Sequence, residues 1–307
     1  NKYGIVVKKS IVFTDCDLDG IGSYLVFKWF TNTDAEHKIC SQSNFRKTFD
    51  GHFTNKSIED YNKIYIFDLD VSQQNLDLVD HENVVIIDHH DTHIKNQDKY
   101  KNAKTILIDT TSCCKLIYSI YKKRPNNKVE LTDSQKLLVL MVNDYDCYEL
   151  KVKNSYNLNV VLWNYVGNRA EQFTRDFQDG FTGFNQSHLN MIHLNRKKVD
   201  RILADLQIFA GNIPICGNKY NVYATMADTA INEGAHYIID NYRCDVCIVL
   251  NIQTGRVSFR KNKETAAEVD LGNLASLIAD GGGHAYSAGG KINESVMTLT
   301  KMLTQVK

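Results

Sequence analysis

The 307-residue chain is 43% apolar and 23% charged with only 2 Pro and 17 Gly, an ordinary globular composition that excludes collagen-like, low-complexity and broadly disordered classes. Thirty-six Lys and Arg balance 36 Asp and Glu, so no global field draws the chain toward long duplexes or anionic membranes, and any nucleic-acid contact has to be local. Apolar runs such as 136–142 fall far short of the roughly 18 to 20 residues that span a bilayer.

Residues 3–14 read as strand material ending in Ile11-Val12-Phe13-Thr14, followed by an acidic, glycine-containing turn and an apolar-periodic helix over 21–30. The same grammar recurs at 63–67 before Asp68, at 84–87 before Asp88 and at 105–108 before Asp109. Short β-branched runs bounded by polar turns mark buried parallel strands. Helices are expected over 112–122 and 133–142, and a polar, helix-compatible stretch fills 155–210. Strands return from Asn221, including 245–252 and 256–260 across the turn Thr254-Gly255, before a helix at 270–279 and the glycine cluster 281–283. No solenoid repeat, Pro/Ser-rich tether or like-charge tail interrupts the chain. The expectation is an α/β protein with an N-terminal parallel-sheet domain (1–180), a helical linker (181–211) and a smaller α/β domain (212–307).

Eight scattered cysteines read as free thiols, and the start carries no signal-peptide pattern, so a cytoplasmic setting is expected. Cys244-Asp-Val-Cys247 has CxxC spacing but no second pair, which argues against zinc. Gly20-Ile-Gly22 follows several carboxylates, which a dinucleotide-binding loop does not carry beside the pyrophosphate.

Three strands run into acidic or histidine-bearing turns: Asp15-Cys-Asp17-Leu-Asp19-Gly20, Asp68-Leu-Asp70 and Asp88-His89-His90-Asp91. The carboxyl ends of parallel strands face one crevice, so these charges converge and repel unless a divalent cation offsets them. Taken singly, each aspartate serves as well as a helix cap. Taken jointly they point to metal, with oxygen ligands and a minority of imidazole suiting Mn²⁺ or Mg²⁺ over zinc. Asp17 and Asp19 each hold one of two ions and Asp68 bridges them, the arrangement of a phosphoryl-transfer device with its metals about 4 Å apart.

The chain resembles the DHH phosphoesterase superfamily, named for the triplet that stands here as Asp88-His89-His90. The acidic motif at 15–20 is similar to that of RecJ-type nucleases, Asp68 matches the second motif, and Asn143-Asp144-Tyr-Asp146 resembles the fourth. Ser258-Phe-Arg260 and Asp280-Gly-Gly-Gly-His284, with Ser287-Ala-Gly289, resemble the DHH-associated domain that closes over the substrate, so the resemblance implies an active site in the cleft between two domains. It also implies that Asp17, Asp19, Asp68, His89 and Asp144 bind metal and that His90 touches the reacting phosphate, with Asp88 orienting an imidazole. Many relatives place histidine where Phe13 stands, so Asp15 or water completes the first metal site. Asp70, Asp109 and Asp146 rank lower, each as readily a cap or turn residue.

In the second domain Gly281, Gly282 and Gly283 let backbone N–H groups approach an anion, and with Arg260 and His284 they form an expected phosphate clamp. Arg256, Arg260, Lys261 and Lys263 make a basic cluster sized for few phosphates, although Lys261 and Lys263 also suit a charge-protected hairpin edge. The expected activity is a two-metal phosphodiesterase that cuts short single-stranded oligonucleotides or dinucleotides to mononucleotides, with no membrane partner. The alternatives within the family are a cyclic-dinucleotide phosphodiesterase, a bisphosphonucleotide phosphatase and a RecJ-like exonuclease; outside it stands a non-catalytic scaffold, disfavoured because the acidic residues persist. The sequence leaves the oligomeric state open, a homodimer included.

Overall fold

A computed structural model describes residues 9–33 and 35–307, so positions 3–8 of the first expected strand lie outside the described residues. The chain divides into two compact units, Asn1–Ile192 and His193–Lys307.

In the first unit the order is β1 (Ser10–Thr14), α1 (Leu18–Thr31), β2 (Glu36–Ile39), α2 (Phe45–Phe53), β3 (Lys63–Phe67), α3 (Leu76–Val79), β4 (Val84–Asp88), α4 (Asp91–Lys95) and β5 (Lys104–Leu107). Helices α5 (Cys113–Lys122), α6 (Asp133–Asp146), α7 (Ser155–Asn164), α8 (Arg169–Asp176) and α9 (Gln186–Ala204) follow, the last running on past Ile192. Among the described residues all five strands of this unit are parallel, in the order β2-β1-β3-β4-β5. The winding direction reverses between β1 and β3, and such a switch point opens a crevice at the strands' carboxyl ends.

The strand composition follows from burial on both faces. Ile11 and Phe13 pack on one side with Phe45, Phe49, Ile64 and Ile66, whereas Val12 joins Ile21, Leu25, Phe67 and Ile87 on the other. Helix α1 is apolar nearly all round because it lies against the sheet, α5 and α6 at once. Each fully buried side chain of the size of Phe27 contributes roughly 1.5–3 kcal/mol relative to exposure. Entry to α1 requires Gly20, since a Cβ there would sit 2.3 Å from the Asp15 carbonyl oxygen. Helix α6 begins on a capping box between Thr132 and Gln135 and extends four residues past 142, which puts Asp144 and Asp146 in its last turn.

The second unit contains β6 (Ile208–Ile215), β7 (Asn218–Met226), α10 (Ile231–Asn241), β8 (Val246–Asn251), β9 (Arg256–Lys261), α11 (Leu271–Ile278), β10 (Gly282–His284), β11 (Ser287–Lys291), α12 (Glu294–Thr300) and β12 (Thr304–Gln305). Its mixed sheet runs β10-β11-β9-β8-β7-β6-β12, with only β7 and β8 parallel. Val222, Ile248, Val257 and Phe259 centre one core, and Ile208, Ile238 and Val249 a second. Strands return at Ile208, not at Asn221: β6 carries Gly211, Asn212 and Pro214, which mask its strand pattern, and β2 is short, polar and at a sheet edge. Every one of the eight cysteines is a free thiol. Among the described residues no helix is long and apolar enough to cross a membrane.

Candidate metal centre

Asp17 is the N-cap of α1, its Oδ1 accepting from the Gly20 amide at 2.9 Å. Two residues on, Asp19 turns inward and is 1% exposed. Its carboxylate lies across the start of α5, Oδ2 accepting from the Cys113 amide at 2.7 Å and Oδ1 from the Cys114 amide at 2.9 Å. These are orphan donors at the positive end of the helix, so they hold an anion without a cationic side chain. Asp68 ends β3 in the left-handed region, φ 59°, and is 2% exposed. That backbone turn aims its carboxylate across the crevice at His89.

Nε2 of His89, buried at the end of β4, collects three carboxylates: Asp68 Oδ1 at 3.2 Å, Asp19 Oδ2 at 3.5 Å and Asp146 Oδ2 at 3.8 Å. Asp146 Oδ2 is buried and accepts no hydrogen bond. Burial and mutual repulsion push these acids toward their protonated forms. Asp19 rises to about 7 through burial and the charge of Asp17. Asp68 and Asp146 stand well above the carboxylate range, again through burial first and then through Asp19 and Asp17. Asp15, whose Oδ1 accepts from the Cys16 amide, rises to about 6 through burial and Asp17. Asp17 is thus close enough for its charge to be felt at all four.

Such a cluster fits a divalent cation. Six oxygen or nitrogen ligands about 2.1 Å from a metal lie about 3 Å from their neighbours, close to the separations around His89. The buried Asp146 oxygen lacking a donor is an open ligand position, and the oxygen-rich set with one imidazole suits Mn²⁺ or Mg²⁺. Asp19, His89 and Asp146 form one group of converging ligand atoms, and Asp68, Asp88, His89 and His90 a second.

His90 stands apart in role. It is half-buried, and its Nδ1 lies 2.8 Å from Asp88 Oδ1. Burial pulls the imidazole down, but Asp88, with Asp146 and Asp70 behind it, outweighs this and pushes it up to about 10. Asp88 is fully buried, which alone would raise it, yet His90 and His93 hold it well below the carboxylate range.

One expected ligand is placed otherwise. Asp144 does not face the cluster: Oδ1 accepts from the Lys151 amide, while Oδ2 accepts from the Val152 amide and, at 2.5 Å, from the Ser155 hydroxyl, so its carboxylate builds the loop into α7. Asp146 stands at His89 instead, for a helical reason: residues two apart point about 200° apart, and the stripe Val139, Val142 continues to 146. Phe13 is fully buried in the apolar core. Its ring packs 5.3 Å from Phe49 and 5.9 Å from Phe45, on the sheet face opposite Val12 and the α1 core.

In the second unit Arg260 donates through Nε and Nη2 to Asn232 Oδ1 and through Nη1 to the Phe259 carbonyl. Gly282, Gly283 and His284 form β10, paired with β11, so the glycine run is strand and not an open loop. Gly281 answers to packing, since a Cβ would meet the Gly289 carbonyl oxygen at 1.9 Å. As the edge strand, β10 keeps one side unpaired within the sheet. The His284 and Tyr286 rings stack 5.4 Å apart, and Lys263 Nζ lies 4.8 Å from the Tyr286 centroid. Cys244 and Cys247 are buried free thiols.

Residues 9–142 match the DHH family, N-terminal domain. No curated protein matches the chain in sequence. Among solved structures, a pGpG-specific phosphodiesterase from Vibrio cholerae is 14% identical with a TM-score of 0.56, covering 96% of each chain. Exonuclease RecJ bound to manganese is 12% identical with a TM-score of 0.55, over 96% of this chain and 88% of its own. An exopolyphosphatase-related protein from Bacteroides fragilis is 12% identical with a TM-score of 0.54, over 96% and 91%. At these identities the likeness is one of fold.

Proposed function

We propose that the chain is a metal-dependent phosphodiesterase acting on short single-stranded oligonucleotides or dinucleotides, a reading supported by the match of residues 9–142 to the DHH family, N-terminal domain. The observation that carries this reading is the convergence of Asp19, Asp68 and Asp146 on one nitrogen of His89, with an Asp146 oxygen that no donor satisfies.

Asp19, Asp68, Asp146 and His89 hold divalent cations, Mn²⁺ or Mg²⁺, with Asp17 and Asp15 at the rim; the bound ions supply Lewis acidity and offset charge developing on the phosphoryl oxygens. The chain's own residues do the rest. The α5 amides keep the Asp19 carboxylate in place, and the left-handed turn at Asp68 sets its approach. Asp88 holds Nδ1 of His90 and so orients the ring, whose Nε2 donates to a phosphoryl oxygen. Arg260, oriented by Asn232, and β10 with Gly281, Gly282, Gly283 and His284 grip a further phosphate or a nucleotide. The charge-balanced composition favours a ligand with few phosphates over a long strand.

The test is hydrolysis with saturating Mn²⁺ or Mg²⁺ across linear dinucleotides, cyclic dinucleotides, 3′-phosphoadenosine 5′-phosphate and labelled single strands. Mononucleotide release from dinucleotides and short strands is expected. Inactivity on all of them, with metal shown to bind, overturns the reading.

A further inference from the structure

His93 lies five residues beyond Asp88, outside the triplet and the acidic motifs. It is 0% exposed, on the short helix α4. Its Nδ1 is 2.6 Å from Asp88 Oδ2, and its Nε2 is 2.7 Å from the Tyr100 hydroxyl. Asp88 Oδ1 in turn is 2.8 Å from His90 Nδ1. The four groups make one line, Tyr100–His93–Asp88–His90, fully buried at His93 and Asp88 and half-buried at its two ends.

We propose that His93 is a positioning residue for His90: by occupying one oxygen of Asp88 it commits the other oxygen to His90 Nδ1, and so fixes which nitrogen that ring turns toward the substrate. The inference rests on the phosphodiesterase reading for what His90 does, but not for how His90 is held.

The alternatives for these groups are closed by their neighbours. A carboxylate accepts only, so both imidazoles present Nδ1–H to Asp88, and the remaining nitrogen of His93 pairs with the Tyr100 hydroxyl, which can donate or accept. Asp70 Oδ1 comes within 3.8 Å of His93 Nδ1, but Asp70 already accepts from the Ser72 amide and hydroxyl and from the Thr92 hydroxyl. Asp88, fully buried, has no solvent to replace a lost donor. Without His93, the Asp88 carboxylate loses one of its two fixed contacts and can exchange oxygens, so its hold on His90 Nδ1 loosens. The pattern is that of a histidine oriented through a carboxylate, reached here through a second buried histidine.

Two near-isosteric substitutions separate positioning from scaffolding. His93→Asn keeps an N–H near the place of Nδ1 and loses the Tyr100 contact; His93→Gln keeps a polar group near the place of Nε2 and loses the Asp88 contact. The primary readout is the ¹H–¹⁵N resonance of the His90 Nδ1–H in the metal-free protein, with kcat and KM on a dinucleotide as the second. His93→Asn should retain the resonance and stay within about fivefold of wild-type kcat, whereas His93→Gln should lose it to exchange and lower kcat by about 10- to 100-fold with KM little changed. If His93→Gln retains the His90 resonance, or His93→Asn is the more damaged of the two, His93 merely anchors α4 to Tyr100 and the proposal is overturned. Should the wild type hydrolyse no phosphodiester, the catalytic reading fails, while the resonance still decides the positioning.

Discussion

Oδ2 of Asp146 and Nε2 of His89 face each other at 3.8 Å, and the buried oxygen accepts no hydrogen bond. Asp144, one helical half-turn earlier, spends both oxygens on the 151–155 loop. The division of labour between the two aspartates gives the first prediction. Asp146→Asn should cut turnover by more than about hundredfold, the loss of several kcal/mol of metal-borne stabilisation, while leaving Tm unchanged or higher. Asp144→Asn should instead cost about 1–3 kcal/mol of stability and keep turnover within about tenfold. Calorimetric metal titration and thermal melts of both variants check this; a metal-binding defect confined to Asp144→Asn would reverse the assignment.

The crowded carboxylates make the metal-free protein sensitive to pH in a definite direction. Asp19 and Asp15 are raised in the folded state to about 7 and about 6, above their unfolded values. Between roughly pH 4 and 7 these acids therefore bind more protons in the folded form than in the unfolded chain, so their contribution to stability is highest at the acid end and is lost as pH rises through the folded-state values. His37 and His236, which burial holds down at about 3 and about 4, pull the other way below about pH 6.5, so the fall in metal-free Tm should be clearest between pH 6.5 and 8, where Mn²⁺ should restore it most strongly. Asp68→Asn, which keeps a residue tolerant of the left-handed turn, should flatten the profile and remove turnover. An Asp68→Asn profile that superimposes on the wild type would contradict the crowding.

Phe13 sits where a histidine ligand is commonly expected, yet its ring belongs to the core with Phe45 and Phe49. Phe13→His should destabilise the protein by about 3 kcal/mol, through lost apolar contact and a buried polar ring. The relative affinities for Mn²⁺ and Mg²⁺ should not move. A sharpened Mn²⁺ preference in calorimetric titrations would show that the introduced imidazole reaches the metal.

Substrate length tests the second unit. Arg260→Ala should cost roughly 1.5–3 kcal/mol of transition-state binding, the range for a hydrogen bond to a charged group. It should also flatten a length preference that otherwise peaks at short strands. Single strands of two to about twenty nucleotides, compared by kcat/KM at fixed salt, decide the matter. A steady rise out to the longest strand with steep salt dependence would favour a processive exonuclease.

The parallel sheet was legible because strands buried on both faces write their apolar runs continuously, as at 63–67 and 84–87. Strands β2 and β6 were not: one is four largely polar residues at an edge, the other is broken up by Gly211, Asn212 and Pro214. The acids at strand ends marked the crevice, since topology alone carries Asp19, Asp68 and His89 together. What sequence reading could not supply was side-chain direction within a helix end. Asp144 and Asp146 differ only by position along a turn, and extending the Val139, Val142 stripe would have favoured Asp146. His93 carried a fainter signal, one helical turn beyond His90, and its partners were visible only once the backbone brought Tyr100 alongside.

The Asp19 anchor is written in main chain. The Ser112 hydroxyl helps hold this carboxylate, but its main anchors are the first two amides of α5, which every residue but proline presents alike. Mutational drift at positions 113 and 114 can therefore reshape the packing around the thiols while leaving this grip untouched. Proline at 113 is the informative exception: it suits the first turn of a helix, yet it deletes the 2.7 Å contact to Asp19 Oδ2. Cys113→Pro should therefore weaken the hold on Asp19 in a way that Cys113→Ala, which keeps the amide, does not.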